Sequence, residues 1–248
     1  MTVLKYILFV LILAVPAFSA STPLTEETGR EMLKELQSIR QLLEKQQKPA
    51  TPAPPVKAES QTVKVAVAGG ASLGRADAPL VLIEYTDYQC PYCKKFYDGP
   101  FQEIKKNYID TGKVRFISRN LPLPFHNFAQ KAAQAAYCGG VQGKYAEMKG
   151  LLFAAKKGLD PAVFKDYAAE AGLDGQLFQA CLDGEASLKA INDQAKDAAA
   201  VGITGTPTFL IGLNNGAEMI GKKVVGGQPY ANFSTIFDEL LKSPPAKR

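Results

Sequence analysis

Beyond residue 20, apolar and polar positions alternate in three distinct ways along the chain. From Leu24 to Lys48 the apolar residues Met32, Leu36, Ile39 and Leu43 return at steps of four, three and four. That step pattern lines one face of a helix, and Leu33 and Leu42 widen the stripe. Thr25, with Thr28 and Glu31 beyond it, supplies a helix start. Residues 49–62 lose the periodicity altogether. Pro49, Pro52, Pro54 and Pro55 stand there among Ala, Thr and Lys, a composition that reads as an extended, semi-rigid linker. Residues 63–248 carry the patterns of a packed domain.

Within that domain, Leu80 to Thr86 is an apolar run bounded by Pro79 and Asp87, the mark of a buried strand. A helix is expected from Cys90 toward Tyr108, and a strand over Lys113 to Ser118. The Ala-rich stretch from Asn127 to Val201 divides into several helices at Gly139-Gly140, Gly158, Gly172 and Gly184. Thr208 to Leu213 reads as a strand, Asn214-Asn215-Gly216 as a turn, and Glu218 to Val225 as the returning strand. Tyr230 to Lys242 closes the chain as an amphipathic helix. The resulting order is β-α-β, a helical insert over about residues 126–200, then β-β-α. This α/β order resembles the thioredoxin-like fold with an inserted helical domain, here preceded by the N-terminal helix and the Pro-rich linker.

The N-terminus adds a compartment. Lys5, the apolar run Tyr6 to Val15, Pro16 and small residues through Ala20 have the layout of a signal peptide over residues 1–20. The run is short for a membrane span, which needs about 20 residues. Cleavage and retention as an uncleaved tether both stay open. Either places the domain outside the cytoplasm, the periplasm for a bacterial chain, where disulfides persist. The formal net charge of +5 is spread out rather than gathered into a basic stripe, which argues against nucleic acid as a partner. The 46% hydrophobic content supports one well-buried domain.

The four cysteines, Cys90, Cys93, Cys138 and Cys181, are too few and too spread for a small disulfide scaffold. Cys90-Pro91-Tyr92-Cys93 follows a strand and starts a helix. A helix N-terminus offers unpaired N–H groups and the positive end of its dipole, and both stabilise a thiolate on the first cysteine. The thiolate is the nucleophile of disulfide exchange. Pro91 suits a first helical turn. Cys90 is therefore expected as an exposed attacking thiolate and Cys93 as its buried resolving partner. Zinc would need a second ligand pair, yet His126 is the single histidine and the other cysteines are isolated. No metal or other cofactor is expected, since the dithiol is itself the redox group. Copper delivery by the same dithiol lacks its usual extra Met or His ligands. Thr206-Pro207 precedes the strand at Thr208. Alone it is an ordinary turn; opposite a C-x-x-C motif, a cis proline there would set the Thr206 backbone beside the sulfurs for pairing with an extended peptide. His126 reads as a capping or packing residue. Cys138 and Cys181 stand on helical segments, either as buried thiols or, in an oxidising compartment, as a second bridge.

Three segments carry a family resemblance. Leu82 to Cys93 resembles the active-site strand and helix of the DsbA-like thiol:disulfide oxidoreductases, Gly202 to Phe209 resembles their cis-proline loop, and Phe125 to Ala133 resembles the start of their helical insert. The similarity spans roughly residues 71–241. It implies disulfide formation or exchange in exported proteins that carry cysteines, with a membrane or periplasmic redox partner. It also implies that Glu84 is a buried acid assisting proton transfer at the resolving cysteine, and that a bridge within the insert is structural. Direction of electron flow stays open between an oxidase and an isomerase or reductase, and a non-catalytic thioredoxin-fold chaperone is the alternative from another class. The helix at 24–48 reads either as a homo-oligomer seam or as a solvated spacer.

Overall fold

The computed structural model describes residues 26–46 and 62–242. The signal peptide expected at 1–20 lies outside them, as does the expected linker at 49–62 except Thr62, which is the first residue of a strand. The chain divides into two units, Met1–Pro54 and Pro55–Arg248. In the first, helix α1 (Glu26–Gln46) begins with Glu26 and Glu27, acidic residues that suit the positive end of a helix. Its Met32, Leu33, Leu36 and Ile39 are 52–62% exposed.

The second unit is built on a six-stranded sheet. Its strands are β1 (Thr62–Ala66), β2 (Ala71–Leu73), β3 (Leu80–Thr86), β4 (Val114–Asn120), β5 (Thr208–Leu213) and β6 (Glu218–Val225). The order across the sheet is β1-β6-β5-β3-β4-β2. β3 runs parallel to β4, with Glu84 opposite Ser118, and antiparallel to β5, with Glu84 opposite Phe209. All seven residues of β3 are buried, which explains its unbroken apolar run: both faces of this central strand are covered. The bounds of β3, β5 and β6 agree with the apolar pattern. β1 and β2 are additional strands that the pattern did not show, and they extend the two edges by pairing with β6 and β4.

The expected helix from the cysteine motif to Tyr108 is instead broken. Helix α2 (Pro91–Asp98) stops at Gly99, because Pro100 cannot donate the next helical hydrogen bond. Helix α3 (Pro100–Ile104) then runs into a π-helical turn at Lys105–Ile109. The insert comprises α4 (Ala129–Val141), α5 (Tyr145–Ala154), α6 (Phe164–Glu170), α7 (Gly175–Asp183) and α8 (Glu185–Ala200); α9 (Tyr230–Lys242) ends the described chain.

Three apolar clusters organise these elements. Leu80, Leu82, Phe116, Phe209 and Ile211 on one face of the sheet pack with Phe96, Phe101, Phe233 and Phe237 from α2, α3 and α9. Val81, Ile83, Tyr85, Ile117 and Leu210 on the opposite face pack with Ala198 of α8. The third cluster fills the insert, and it takes in Tyr88, Cys90 and Cys93. The cysteine motif therefore sits where the sheet's helical layer meets the insert.

Candidate functional site

Cys90 caps α2 from an extended backbone conformation (φ −72°, ψ 118°), and Pro91 takes the first helical position. The loop before it is held by Asp87. One Asp87 carboxylate oxygen accepts from the Gln89 N–H at 2.7 Å; the other accepts from the Leu123 N–H at 2.8 Å and lies 2.8 Å from His126 Nδ1. Gln89 Oε1 accepts from the Phe128 N–H at 2.5 Å. His126 thus packs on the active-site loop through Asp87, and the start of the insert is tied to the residues just before Cys90.

Both motif cysteines are free thiols. Cys90 is only 4% exposed, which corrects the expectation of an exposed nucleophile: the insert cluster closes over it. The open positions of the motif are Pro91 and Tyr92, the latter 66% exposed. Tyr92 and the partly exposed Thr206 are thus the more open neighbours of Cys90. Cys93 is fully buried.

The two thiols are driven apart in acidity. Cys90 falls from 9.0 to about 5; the hydrogen bond from Cys93 is the main cause, burial opposes it, and Thr206 and the backbone N–H groups of Cys93 and Tyr92 add to the lowering. Burial pushes Cys93 far up, with its hydrogen bond to Cys90 and the charge of Glu84 adding to the rise. One thiol is thus a thiolate at neutral pH while its neighbour keeps the proton.

Thr206-Pro207 is a cis peptide, and in the protonated form of Cys90 its Sγ donates to the Thr206 carbonyl at 3.3 Å. Pro207 O accepts from the Gly226 N–H at 2.8 Å, which ties this loop to the end of β6. Gly227 is a further member of the site: a Cβ there would lie 3.1 Å from Tyr92 O and 3.9 Å from Pro207 Cγ. Only the assembled fold reveals this, because the glycine's neighbours are remote in sequence.

Glu84 is completely buried on β3, on the sheet face that carries Leu80 and Leu82. It accepts from Lys149 Nζ at 2.6 Å and from Ser118 Oγ at 3.3 Å. Lys149 escaped the sequence reading, although a signal was present. Tyr145, Met148, Lys149, Leu152 and Phe153 form the buried stripe of α5, and a lysine there occupies a core position.

Cys138 and Cys181 are bridged, joining α4 to α7 across a sequence separation of 43. Among the described residues, no three His, Cys, Asp or Glu side chains gather as metal ligands would. No helix among them is long and apolar enough to cross a membrane.

A family model described as Thioredoxin matches residues 67–226. Among solved structures, α-DsbA1 of Wolbachia pipientis is similar at 30% identity with a TM-score of 0.62, covering 71% of this chain and 92% of that one. Oxidised BdbD from Bacillus subtilis shares 24% identity with a TM-score of 0.60 over 72% of this chain and all of that one, a likeness of fold. A curated relative, the Na(+)/H(+) antiporter NhaA 3 of Salinispora tropica, is 34% identical over 139 residues. That stretch is 56% of this chain and 21% of the antiporter, so the chain spans about a fifth of the length of the curated relatives it matches.

Proposed function

The chain belongs to the thioredoxin family, with DsbA-type thiol–disulfide oxidoreductases as its structural relatives, and from that premise we propose that it forms or exchanges disulfides in exported, cysteine-bearing proteins through Cys90 and Cys93. The observation that carries the reading is the acidity split within one dithiol, with Cys90 at about 5 and Cys93 held protonated. A stabilised thiolate favours the reduced protein, so its disulfide is readily given away, and this supports a disulfide donor.

In the donor direction a substrate thiolate attacks Cys90 in the Cys90–Cys93 disulfide. The bond between the two cysteines breaks, Cys93 leaves with the electron pair and takes up a proton, and Cys90 is joined to the substrate. A second substrate thiolate attacks its own partner sulfur in that mixed disulfide. The substrate disulfide forms and Cys90 departs as the thiolate that the site stabilises. The substrate is oxidised, the dithiol reduced, and a membrane or periplasmic redox partner must reoxidise it. Tyr92 and the Thr206 backbone flank the approach to Cys90, and an extended substrate segment pairs there in strand fashion. The signal-like residues 1–20 and the Cys138–Cys181 bridge support an extracytoplasmic location, with the bridge as a staple outside turnover.

The reduction potential of the Cys90–Cys93 pair, equilibrated against glutathione, tests this. A value more oxidising than about −180 mV is expected for a donor; a value near the −270 mV of reducing thioredoxins would sink the donor reading. Cys90→Ser is expected to abolish oxidation of a reduced protein substrate, and full activity in that variant would remove the enzymatic reading altogether. A second reading, an oligomeric isomerase, draws on the exposed apolar stripe of α1.

A further inference from the structure

A cleft of about 460 Å³ opens at the β2 edge of the sheet, within the second unit, and none of its lining residues belongs to the cysteine motif or the cis-proline loop. One wall is β2 with Gly70 before it; the other is the end of α4, the turn that follows and the start of α5. Among the described residues β2 pairs only with β4, so the backbone N–H and C=O groups along its other edge have no strand partner. Tyr137 and Val141 of α4 supply apolar surface, and Val141 is 64% exposed. Two glycines keep the cleft open. A Cβ on Gly140 would meet nothing nearer than Tyr145 Cβ at 3.7 Å, and one on Gly143 would meet nothing within 4 Å.

Two buried amides belong to the same lining: Asn120 at the end of β4 and Gln194 of α8, 4% and 7% exposed. The Asn120 N–H and its Nδ2 both donate to Gln194 Oε1, at 2.7 and 2.9 Å. Asn120 Oδ1 is left as a buried acceptor with no hydrogen-bond partner, and the Gln194 amide nitrogen is left as a donor. An unpaired buried amide oxygen is costly unless a ligand donor meets it. An acceptor beside a donor is complementary to a peptide group, which offers N–H and C=O along one chain. Glu147 is the one charged side chain of the lining. Its own backbone N–H and then Lys144 hold its carboxyl below the usual carboxylate range, so it is ionised at neutral pH. Lys144 lies 3.2 Å away in a pair that is nearly half exposed on both sides, which leaves the carboxylate within reach of a second cation.

We propose that this cleft binds an extended, unfolded polypeptide segment bearing lysine or arginine, which adds to β2 as a further strand. The site goes beyond exchange at Cys90 and does not depend on it. Strand addition accounts for three features together: a free sheet edge, an amide pair complementary to a peptide group, and apolar surface facing the edge. Successive side chains of an added strand turn to opposite faces. Ala71 and Leu73 of β2 pack against the insert cluster, so every second side chain of the segment turns toward the insert, where Tyr137, Val141 and the Glu147 carboxylate stand. The carboxylate disfavours phosphate-bearing ligands and favours a basic residue. Asn120 is paired with Thr86, four residues before Cys90, so the cleft lies at the same end of the sheet as the motif. A bound segment is thereby held on the molecule that carries the dithiol without covering it.

The probe is a fluorescein-labelled, cysteine-free heptapeptide in which valine alternates with threonine around a central lysine. Fluorescence anisotropy with the full chain is expected to show saturable binding with a Kd of about 100 μM. Hydrogen exchange in the presence of the peptide is expected to slow at residues 71–73 and to stay unchanged at 90–93. Norleucine in place of the central lysine should weaken binding about threefold, and Glu147→Gln should remove that difference. Gly140→Leu fills the cleft from α4 without removing a polar group and should weaken binding about tenfold or more. If Gly140→Leu does not fold, Ala146→Phe, at an exposed lining position of α5, makes the same test. No saturable binding below about 1 mM overturns the proposal. Unchanged affinity in the cleft-filling variant, equal affinity for the two peptides, or slowed exchange at 90–93 in place of 71–73 overturns it too. Slowed exchange at 71–73 that depends on protein concentration without peptide makes a second copy the occupant and likewise overturns it. The peptide carries no thiol, so each of these outcomes is independent of whether Cys90 and Cys93 exchange disulfides.

Discussion

At the scale of single residues, the site depends on two neighbouring sulfurs of opposite acidity. Cys90 sits at about 5 mainly because Cys93 donates to it, so the asymmetry belongs to the pair and not to the helix terminus alone. Cys93→Ala is therefore expected to raise the Cys90 midpoint by about one unit or more, read from thiolate ultraviolet absorbance during titration. An unchanged midpoint would assign the thiolate to the helix N-terminus and Thr206. The sign of the linked stability follows. The Cys90 pKa in the folded dithiol is depressed below its ordinary 9.0, so this contribution is complete above pH 9 and is lost as pH falls through about 5. The disulfide form has no such group. The stability of the reduced form relative to the oxidised form should thus rise between pH 5 and 9, measurable by denaturant unfolding of both forms. Cysteine identity and spacing, Glu84 and Thr206-Pro207 are visible in the sequence because each is local. Lys149 shows in the sequence only as a lysine at a core position of α5, and Gly227 not at all, since their meaning comes from Glu84 and Tyr92, which are far away along the chain.

At the scale of elements, legibility follows burial. β3 and β5 are buried runs with sharp polar ends, and their bounds can be read directly. β1 and β2 are short, half-exposed and separated by Gly69-Gly70, so only the partner strands β6 and β4 define them. The break at Gly99-Pro100 was written in the sequence, but an apolar pattern that continues to Tyr108 masks it. Within the insert, the Cys138–Cys181 bridge closes a loop of 43 residues between α4 and α7. Chain-entropy arguments assign such a loop about 4 kcal/mol. Replacing both cysteines by Ala is expected to destabilise the protein by about 2–5 kcal/mol while leaving the Cys90 midpoint in place. Denaturant unfolding and the same absorbance titration check the two halves of this statement. A shifted midpoint with unchanged stability would mean that the bridge tunes the site instead of stapling the insert.

At the scale of the whole molecule, the open matter is what α1 does for a chain whose second unit holds both cysteines of the motif. A helix that serves only as a spacer has no need of a continuous apolar stripe, yet Met32, Leu33, Leu36 and Ile39 are all at least half exposed. Exposed apolar residues grouped on one helix face mark an interaction surface. Polar residues fill the rest of the helix, so the stripe has the form of a seam between copies. Two heptads are marginal for such a seam, and self-association should be weak enough to depend on concentration. The full chain is expected to sediment as an oligomer at tens of micromolar and to dissociate on dilution. Leu36→Asp with Ile39→Asp should yield a monomer at every concentration while leaving oxidation of a reduced substrate intact. Removal of residues 24–48 should do the same. Oligomerisation would set several Cys90 sites on one assembly, and re-pairing of a scrambled substrate should then fall more steeply than simple oxidation in these variants. A monomer at all concentrations would reduce α1 to a spacer and leave the isomerase reading without support.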